Sequence, residues 1–308
     1  MSLPLLLRGI VPPVVTPLAA VGKLDHAGLE RLLERMLGGG VSGIFALGTT
    51  GEAPALSVEL REKMITETVR IVRGRVPVLA GISDTSVEES IRMGRFACGA
   101  GADGVVFTPP YFSRVSQEDL LRQIRMITGE VPLPAFLYNF PGLAKIWYSV
   151  QTVAAAMEIP RLAGLKDSSG DMIYFLRVLE LAKRRDDFSV LVGPEEMLGE
   201  CILAGAHGGV CGGANLDPEL YVAIYRAALG KSLGELAPLR ARALAVAEQI
   251  YTLGPPENSY IRGLKGALQL RGICSGLPAP PLAPLSAEEE AEMERRLALC
   301  GFAAAGVR

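Results

Sequence analysis

Leu162-Ala163-Gly164-Leu165-Lys166-Asp167-Ser168-Ser169-Gly170-Asp171 decides how the chain is read. An apolar run ends abruptly in one lysine and passes into a polar, glycine-containing turn. That is the pattern of a buried strand delivering an amine to the mouth of a pocket, with a helix starting just beyond. Burial disfavours an ammonium, and only a neutral amine attacks a carbonyl carbon, so such a lysine is a candidate Schiff-base former. A lysine at a strand end is also commonly a solvated gatekeeper, and the stretch by itself leaves both roles open.

The same unit recurs along the chain: an apolar, β-branched run, a polar loop, then an amphipathic helical segment. The pattern predicts strands at 10–15, 43–47, 76–81, 104–107, 135–138, 163–166, 189–192 and 209–212. Helices are expected at 25–37, 57–72, 86–98, 116–127, 149–157, 171–184, 195–204 and 217–229, several opening on a Ser or Asp suited to an N-cap. Eight such units indicate an α/β protein of the (β/α)8 TIM-barrel class. A doubly wound sheet is the competing architecture, but the first strand ends in Val15-Thr16-Pro17 with no glycine-rich dinucleotide fingerprint after it. Beyond residue 230 the strand signal stops. Helices at 232–251, 258–270 and 286–299 follow, with Ser286 and Glu289 placed as a capping box. The expected division is therefore a barrel with the active site at 1–230 and a C-terminal three-helix extension at 231–308.

Composition narrows the function. The 308 residues carry 31 basic and 33 acidic side chains, interspersed, for a net charge of −2, so no basic stripe points to nucleic acid. The apolar opening at 3–7 lacks a basic leader and is followed by prolines 12, 13 and 17, so neither a signal peptide nor a membrane span is expected. The five cysteines are scattered, without CxxC spacing, as expected of reduced thiols in a cytoplasmic protein. With only His26 and His207, a His-rich metal site is excluded and a His-based triad disfavoured. Carbonyl chemistry here points to an amine rather than a metal.

In a barrel of this class the C-terminal strand ends face the active site. The second strand leads into Gly48-Thr49-Thr50-Gly51-Glu52, whose backbone N–H groups and hydroxyls suit a phosphate or a carboxylate. The alternative is a merely tight turn. The fourth leads into Thr108-Pro109-Pro110-Tyr111-Phe112 and the fifth into Tyr138-Asn139-Phe140-Pro141. A tyrosine at either end can relay a proton, or can sit in the core with its hydroxyl bonded to backbone. The seventh gives Gly193-Pro194-Glu195-Glu196 and the eighth Val210-Cys211-Gly212-Gly213-Ala214-Asn215, glycine-rich enough for close approach of a ligand.

Taken together and in this order, the motifs at 48–52, 138–141 and 164–167 resemble those of the dihydrodipicolinate synthase / N-acetylneuraminate lyase family of pyruvate-dependent class I aldolases, over essentially the whole chain. The resemblance implies that Lys166 forms an imine with pyruvate or a longer 2-keto acid, with no other cofactor and no metal. It implies that Gly48, Thr49, Thr50 and Gly51 hold the carboxylate. Tyr138 would shuttle protons, with Thr50 and Tyr111 extending the relay. It further implies a homotetramer built as a dimer of dimers, in which Tyr111 reaches towards the neighbouring subunit. Ser168, Glu195, Val210 and Gly212 are expected to contact substrate, Glu195 through sugar-acid hydroxyls; a helix-terminal acid facing the dipole is the other reading of Glu195.

The substrate is less legible. The synthases carry an arginine two residues after the proline of the tyrosine loop, where Leu143 stands here, and a leucine cannot replace a bidentate guanidinium. Leu143 and Ser168 suit the sialic acid lyases, but Asp167 and Gly212 do not. The preferred expectation is aldol cleavage or condensation of a 2-keto-3-deoxy sugar acid or a 4-hydroxy-2-oxo acid. The alternatives are an N-acetylneuraminate lyase, a 4-hydroxy-tetrahydrodipicolinate synthase, a 2-keto-3-deoxy acid dehydratase and a non-catalytic keto-acid sensor.

Overall fold

In a computed structural model, which describes residues 6–303, eight parallel strands form one sheet: β1 (Gly9–Ile10), β2 (Ile44–Ala46), β3 (Val78–Gly81), β4 (Gly104–Phe107), β5 (Ala135–Asn139), β6 (Leu162–Asp167), β7 (Ser189–Val192) and β8 (Gly208–Gly209). Sequential strands are neighbours from β2 to β8, and β8 pairs with β1. The barrel closes where Pro13 bridges Phe45, and Val14 N–H donates to the Phe45 carbonyl at 2.9 Å. This is the expected (β/α)8 barrel. The expected opening 3–7 lies mostly outside the described residues. Leu7, within them, is buried inside the barrel, and no described helix is long and apolar enough to cross a membrane.

Four strands are shorter than the pattern predicts, β2 and β3 by two residues each and β1 and β8 down to two residues. β1 stops at Ile10 because Pro12 and Pro13 have no N–H for a ladder, so the chain continues as alternating single bonds: Val11 N to Gly209 O and Val14 N to Phe45 O. After β8 the chain turns at Gly212–Asn215, where Asn215 Nδ2 donates to the carbonyls of Pro13 and Gly212. The helix expected at 195–204 starts as a tight turn, Glu195–Met197, before regular helix at Leu198–Leu203.

The alternation along each strand sorts the interior from the helix-facing side. Leu7, Val11, Phe45, Leu79, Val106, Phe136, Tyr138, Leu191 and Val210 form a cluster inside the barrel, while neighbours such as Val105, Leu137, Leu165 and Val190 join the larger cluster under the helices. Around the barrel the helix starts follow the sequence signals: Asp25, Ser57, Ser86, Ser116, Ser149 and Asp171 each accept a backbone N–H from the first turn.

Three helices close the chain, Leu233–Ile250, Ser259–Leu270 and Ala287–Leu299, the last opened by the Ser286–Glu289 capping box. Arg262 on the second pairs with Glu289 on the third, and Leu236 on the first packs over Gly199 of the barrel.

Candidate active site

β5 and β6 pair in register with Tyr138 opposite Lys166 and Asn139 opposite Asp167. Same-register neighbours on parallel strands point to one face, so Tyr138 and Lys166 both project into the barrel while Asn139 and Asp167 project outwards. Lys166 is buried, 6% exposed, and its Nζ lies 4.0 Å from the centre of the Tyr138 ring and 5.5 Å from that of Phe45. The Tyr138 ring is fixed by Phe45 edge-on and by Phe140 stacked at 5.8 Å. Behind them, Asn139 Nδ2 donates to Asp167 Oδ1 at 2.7 Å, and Ser169 donates to the same carboxylate. This side-chain bond joins the two strands one residue past Tyr138 and Lys166. Burial pushes the Asp167 carboxyl above its usual range, against the pull of these donors.

The Gly48–Glu52 loop brings its hydroxyls to the same region. Thr49 Oγ1 and Tyr138 Oη share a hydrogen bond of 3.1 Å. Thr50 was expected as Tyr138's relay partner, but its Oγ1 bonds instead to Tyr260 Oη at 2.9 Å. Adjacent threonines on a turn point apart, and here only the first reaches the fifth strand. Glu52, in the left-handed region at φ 57°, turns its carboxylate away from the barrel axis into a buried pair with Lys265 at 2.5 Å. Lys265 also donates to the Thr16 carbonyl at 2.8 Å, and Ala279 N–H to Glu52 Oε2 at 2.7 Å. Burial lowers the Lys265 ammonium from its usual pKa while Glu52 resists. Removing one partner strands the other charge in the interior. Lys265→Met is therefore expected to lower unfolding stability by about 3–5 kcal/mol; a urea titration with an unchanged midpoint would refute this role for the pair.

A cavity of about 260 Å³ opens beside this cluster, lined by Thr49, Tyr138, Phe140 and Leu143 on one side and by Ser83, Thr108 and Tyr111 on the other. Tyr111 is half-buried, and its phenol is raised above the usual range by burial. Gly48 also lines the cavity, while Gly51 donates its N–H to the Gly48 carbonyl and so tightens the turn.

Other expected contacts are placed differently. Glu195, expected to meet substrate hydroxyls, is buried with both oxygens occupied. Oε1 accepts from Tyr221 at 2.7 Å and Tyr251 at 2.6 Å, and Oε2 accepts from Gly213 N–H at 2.7 Å. It ties β7's loop to β8's loop and to the C-terminal helices; burial raises its carboxyl despite three donors. Gly212, expected to admit a ligand, instead admits a side chain: a Cβ there would lie 1.9 Å from Tyr260 Oη. Ser168 stands with its Oγ beside Gly193, and its N–H donates to the Asn139 carbonyl at 2.7 Å. Val210 belongs to the barrel interior with Tyr138 and Phe45. Tyr221, Tyr251, Tyr260 and Lys265 were missed from the sequence. A tyrosine on or beside an amphipathic helix reads as ordinary core, and no local signal ties it to a loop 26, 56 or 210 residues away.

The comparisons agree with this fold. A model of the dihydrodipicolinate synthetase family matches residues 6–299. A 4-hydroxy-tetrahydrodipicolinate synthase of Gluconacetobacter diazotrophicus is 31% identical over 96% of both chains. A probable 2-dehydro-3-deoxy-D-pentonate aldolase of Escherichia coli K12 is 34% identical, covering 92% of this chain and 93% of its own. Among solved structures, a dihydrodipicolinate synthase of Bacteroides thetaiotaomicron superposes with a TM-score of 0.93 at 44% identity, over 97% of this chain and 100% of that one. A prophage protein of the dihydrodipicolinic acid synthase family from E. coli K12, solved in complex with pyruvate, gives a TM-score of 0.90 at 29% identity over 96% of this chain and 99% of that one. With its barrel, its inward lysine and its match over nearly the whole chain, this protein belongs to the dihydrodipicolinate synthetase family and is a lyase.

Proposed function

We propose that the protein catalyses aldol cleavage or condensation of a short 2-keto-3-deoxy sugar acid or related 4-hydroxy-2-oxo acid through an imine on Lys166. In this reading Lys166 Nζ attacks the C2 carbonyl and water leaves. The protonated imine then accepts the electron pair of the C3–C4 bond, releasing an aldehyde and leaving an enamine. Tyr138 accepts the proton of the C4 hydroxyl as it passes its own on through Thr49 to solvent, and the relay runs backwards in the condensing direction. Protonation of the enamine at C3 and hydrolysis of the imine then release pyruvate and free Lys166. Thr50 and the N–H groups of its loop hold the carboxylate. No cofactor is needed beyond the imine itself.

The observation that carries the choice of substrate is the cavity wall: none of its lining residues is charged, and Leu143 stands on it, 58% exposed. A partner aldehyde bearing a carboxylate would be desolvated there without a counter-charge. A neutral, hydroxylated aldehyde meets Ser83, Thr108 and Tyr111 instead. At about 260 Å³ the space falls below the roughly 300–1,000 Å³ of pockets for drug-sized ligands, which favours a fragment of a few carbons over an acetylated hexosamine.

Pyruvate release from a panel of 2-keto-3-deoxy acids tests the reading, with five- and six-carbon acids expected to be cleaved. Release from none, with pyruvate still bound, would favour a dehydratase or a sensor. Several relatives are named as synthases, so aspartate semialdehyde with pyruvate is the sharpest control. Condensation with it is expected at about the background level, since a lost charge-assisted bidentate contact costs a substrate several kcal/mol. Robust synthase activity would overturn the argument from Leu143.

The proposal includes a cytoplasmic location, in line with five free thiols, and a homotetramer in which the Tyr111 loop meets a second subunit. In support, Phe112 beside it is fully exposed at a strained φ of 73°. Sedimentation of the purified protein reads the assembly directly.

A further inference from the structure

The C-terminal extension puts a phenol where the proposed chemistry needs an oriented threonine. Tyr260 Oη lies 2.9 Å from Thr50 Oγ1, and its ring stands edge-on to Tyr251 at 4.8 Å. Tyr251 is itself held by Glu195. On the other side, Tyr260 Oη occupies the space over Gly212 that any side chain there would take. One hydroxyl from the second terminal helix therefore sits between the β2 and β8 loops, fixed by its neighbours on both. A phenol is the stronger donor of the two, so the favoured arrangement has Tyr260 donating to Thr50 Oγ1. That leaves the threonine proton free to point at an anion, and a donor chain ending on a charge is stronger than its links taken singly.

Resting on the keto-acid reading above, we infer that Tyr260 is a positioning residue of the active site: it orients the Thr50 hydroxyl towards the keto acid's carboxylate and so makes the C-terminal extension part of pyruvate recognition. Gly212 is the counterpart that leaves room for its hydroxyl.

The test is borohydride trapping on the full-length protein across pyruvate concentrations, with hydroxyacetone, which has the ketone but no carboxylate, as the second ligand. Tyr260→Phe keeps the ring and its contact with Tyr251. It is expected to raise the half-saturating pyruvate concentration about 10-fold, the loss of one hydrogen bond feeding a charged acceptor. The labelled fraction at saturation and the half-saturation for hydroxyacetone should not change. Thr50→Val should show a similar loss for pyruvate, and the double variant should be no worse than Thr50→Val alone. Gly212→Ala, which retains Tyr260 but displaces its hydroxyl, should reproduce the loss and stands in if Tyr260→Phe does not fold. An unchanged pyruvate response, an equal loss with hydroxyacetone, or additive losses in the double variant would overturn the inference. Wild-type protein that traps no pyruvate would instead refute the keto-acid reading beneath it.

Discussion

Replacing Lys166 by alanine is expected to abolish borohydride trapping of pyruvate and to reduce lyase activity to background. The amine is the nucleophile in the proposed mechanism, so its loss removes the covalent route rather than weakening it. Nothing nearby can take its place. Lys265, the other buried lysine, is tied up by Glu52 and the Thr16 carbonyl. The fold should survive, because the Lys166 stem is surrounded by Phe45 and Tyr138, which hold each other. Covalent labelling that persists in the variant, mapped by mass spectrometry, would sink the assignment.

Tyr138→Phe is the complementary experiment. The ring and its packing on Phe45 and Phe140 remain, while the hydroxyl bonded to Thr49 is lost. General acid–base groups contribute about 10²–10⁴-fold, so turnover should fall within that range. Pyruvate should still be trapped, more slowly, because imine formation keeps its nucleophile. A fall in turnover of less than about 10-fold would move proton transfer to another group, with Tyr111 across the cavity the first to examine. The two variants thus separate loss of the nucleophile from loss of its proton carrier.

The parts of this site that were legible in the sequence share one property: their roles are stated by neighbours in the chain. Lys166 lies one residue from the end of its strand, Tyr138 one residue from the end of the one before it, and Thr49 follows a third. Period-two alternation points Lys166 and Tyr138 into a barrel whose strands are in sequential order, and the loop after β2 brings Thr49 to Tyr138. Proline explains where that reading overran, since Pro12 and Pro13 cannot extend the β1 ladder. The threonine roles were read less well. Two adjacent hydroxyls look equivalent in sequence, and only the turn decides that Thr49 meets Tyr138 while Thr50 meets Tyr260.

Glu195 and Gly212 show the same limit from the other direction. An acid at a strand end and a glycine-rich loop both resemble ligand contacts, yet Tyr221 and Tyr251 occupy the first and Tyr260 the second. By itself the sequence determined the barrel, which follows from local periodicity, capping and strand order. The candidate Schiff-base lysine and the class of chemistry came from the ordered motifs that resemble the family. Tertiary structure alone decided which polar groups remain available to a ligand. A buried hydroxyl or carboxylate must find a partner, and these partners come from other elements of the fold, 26 to 210 residues away in the chain.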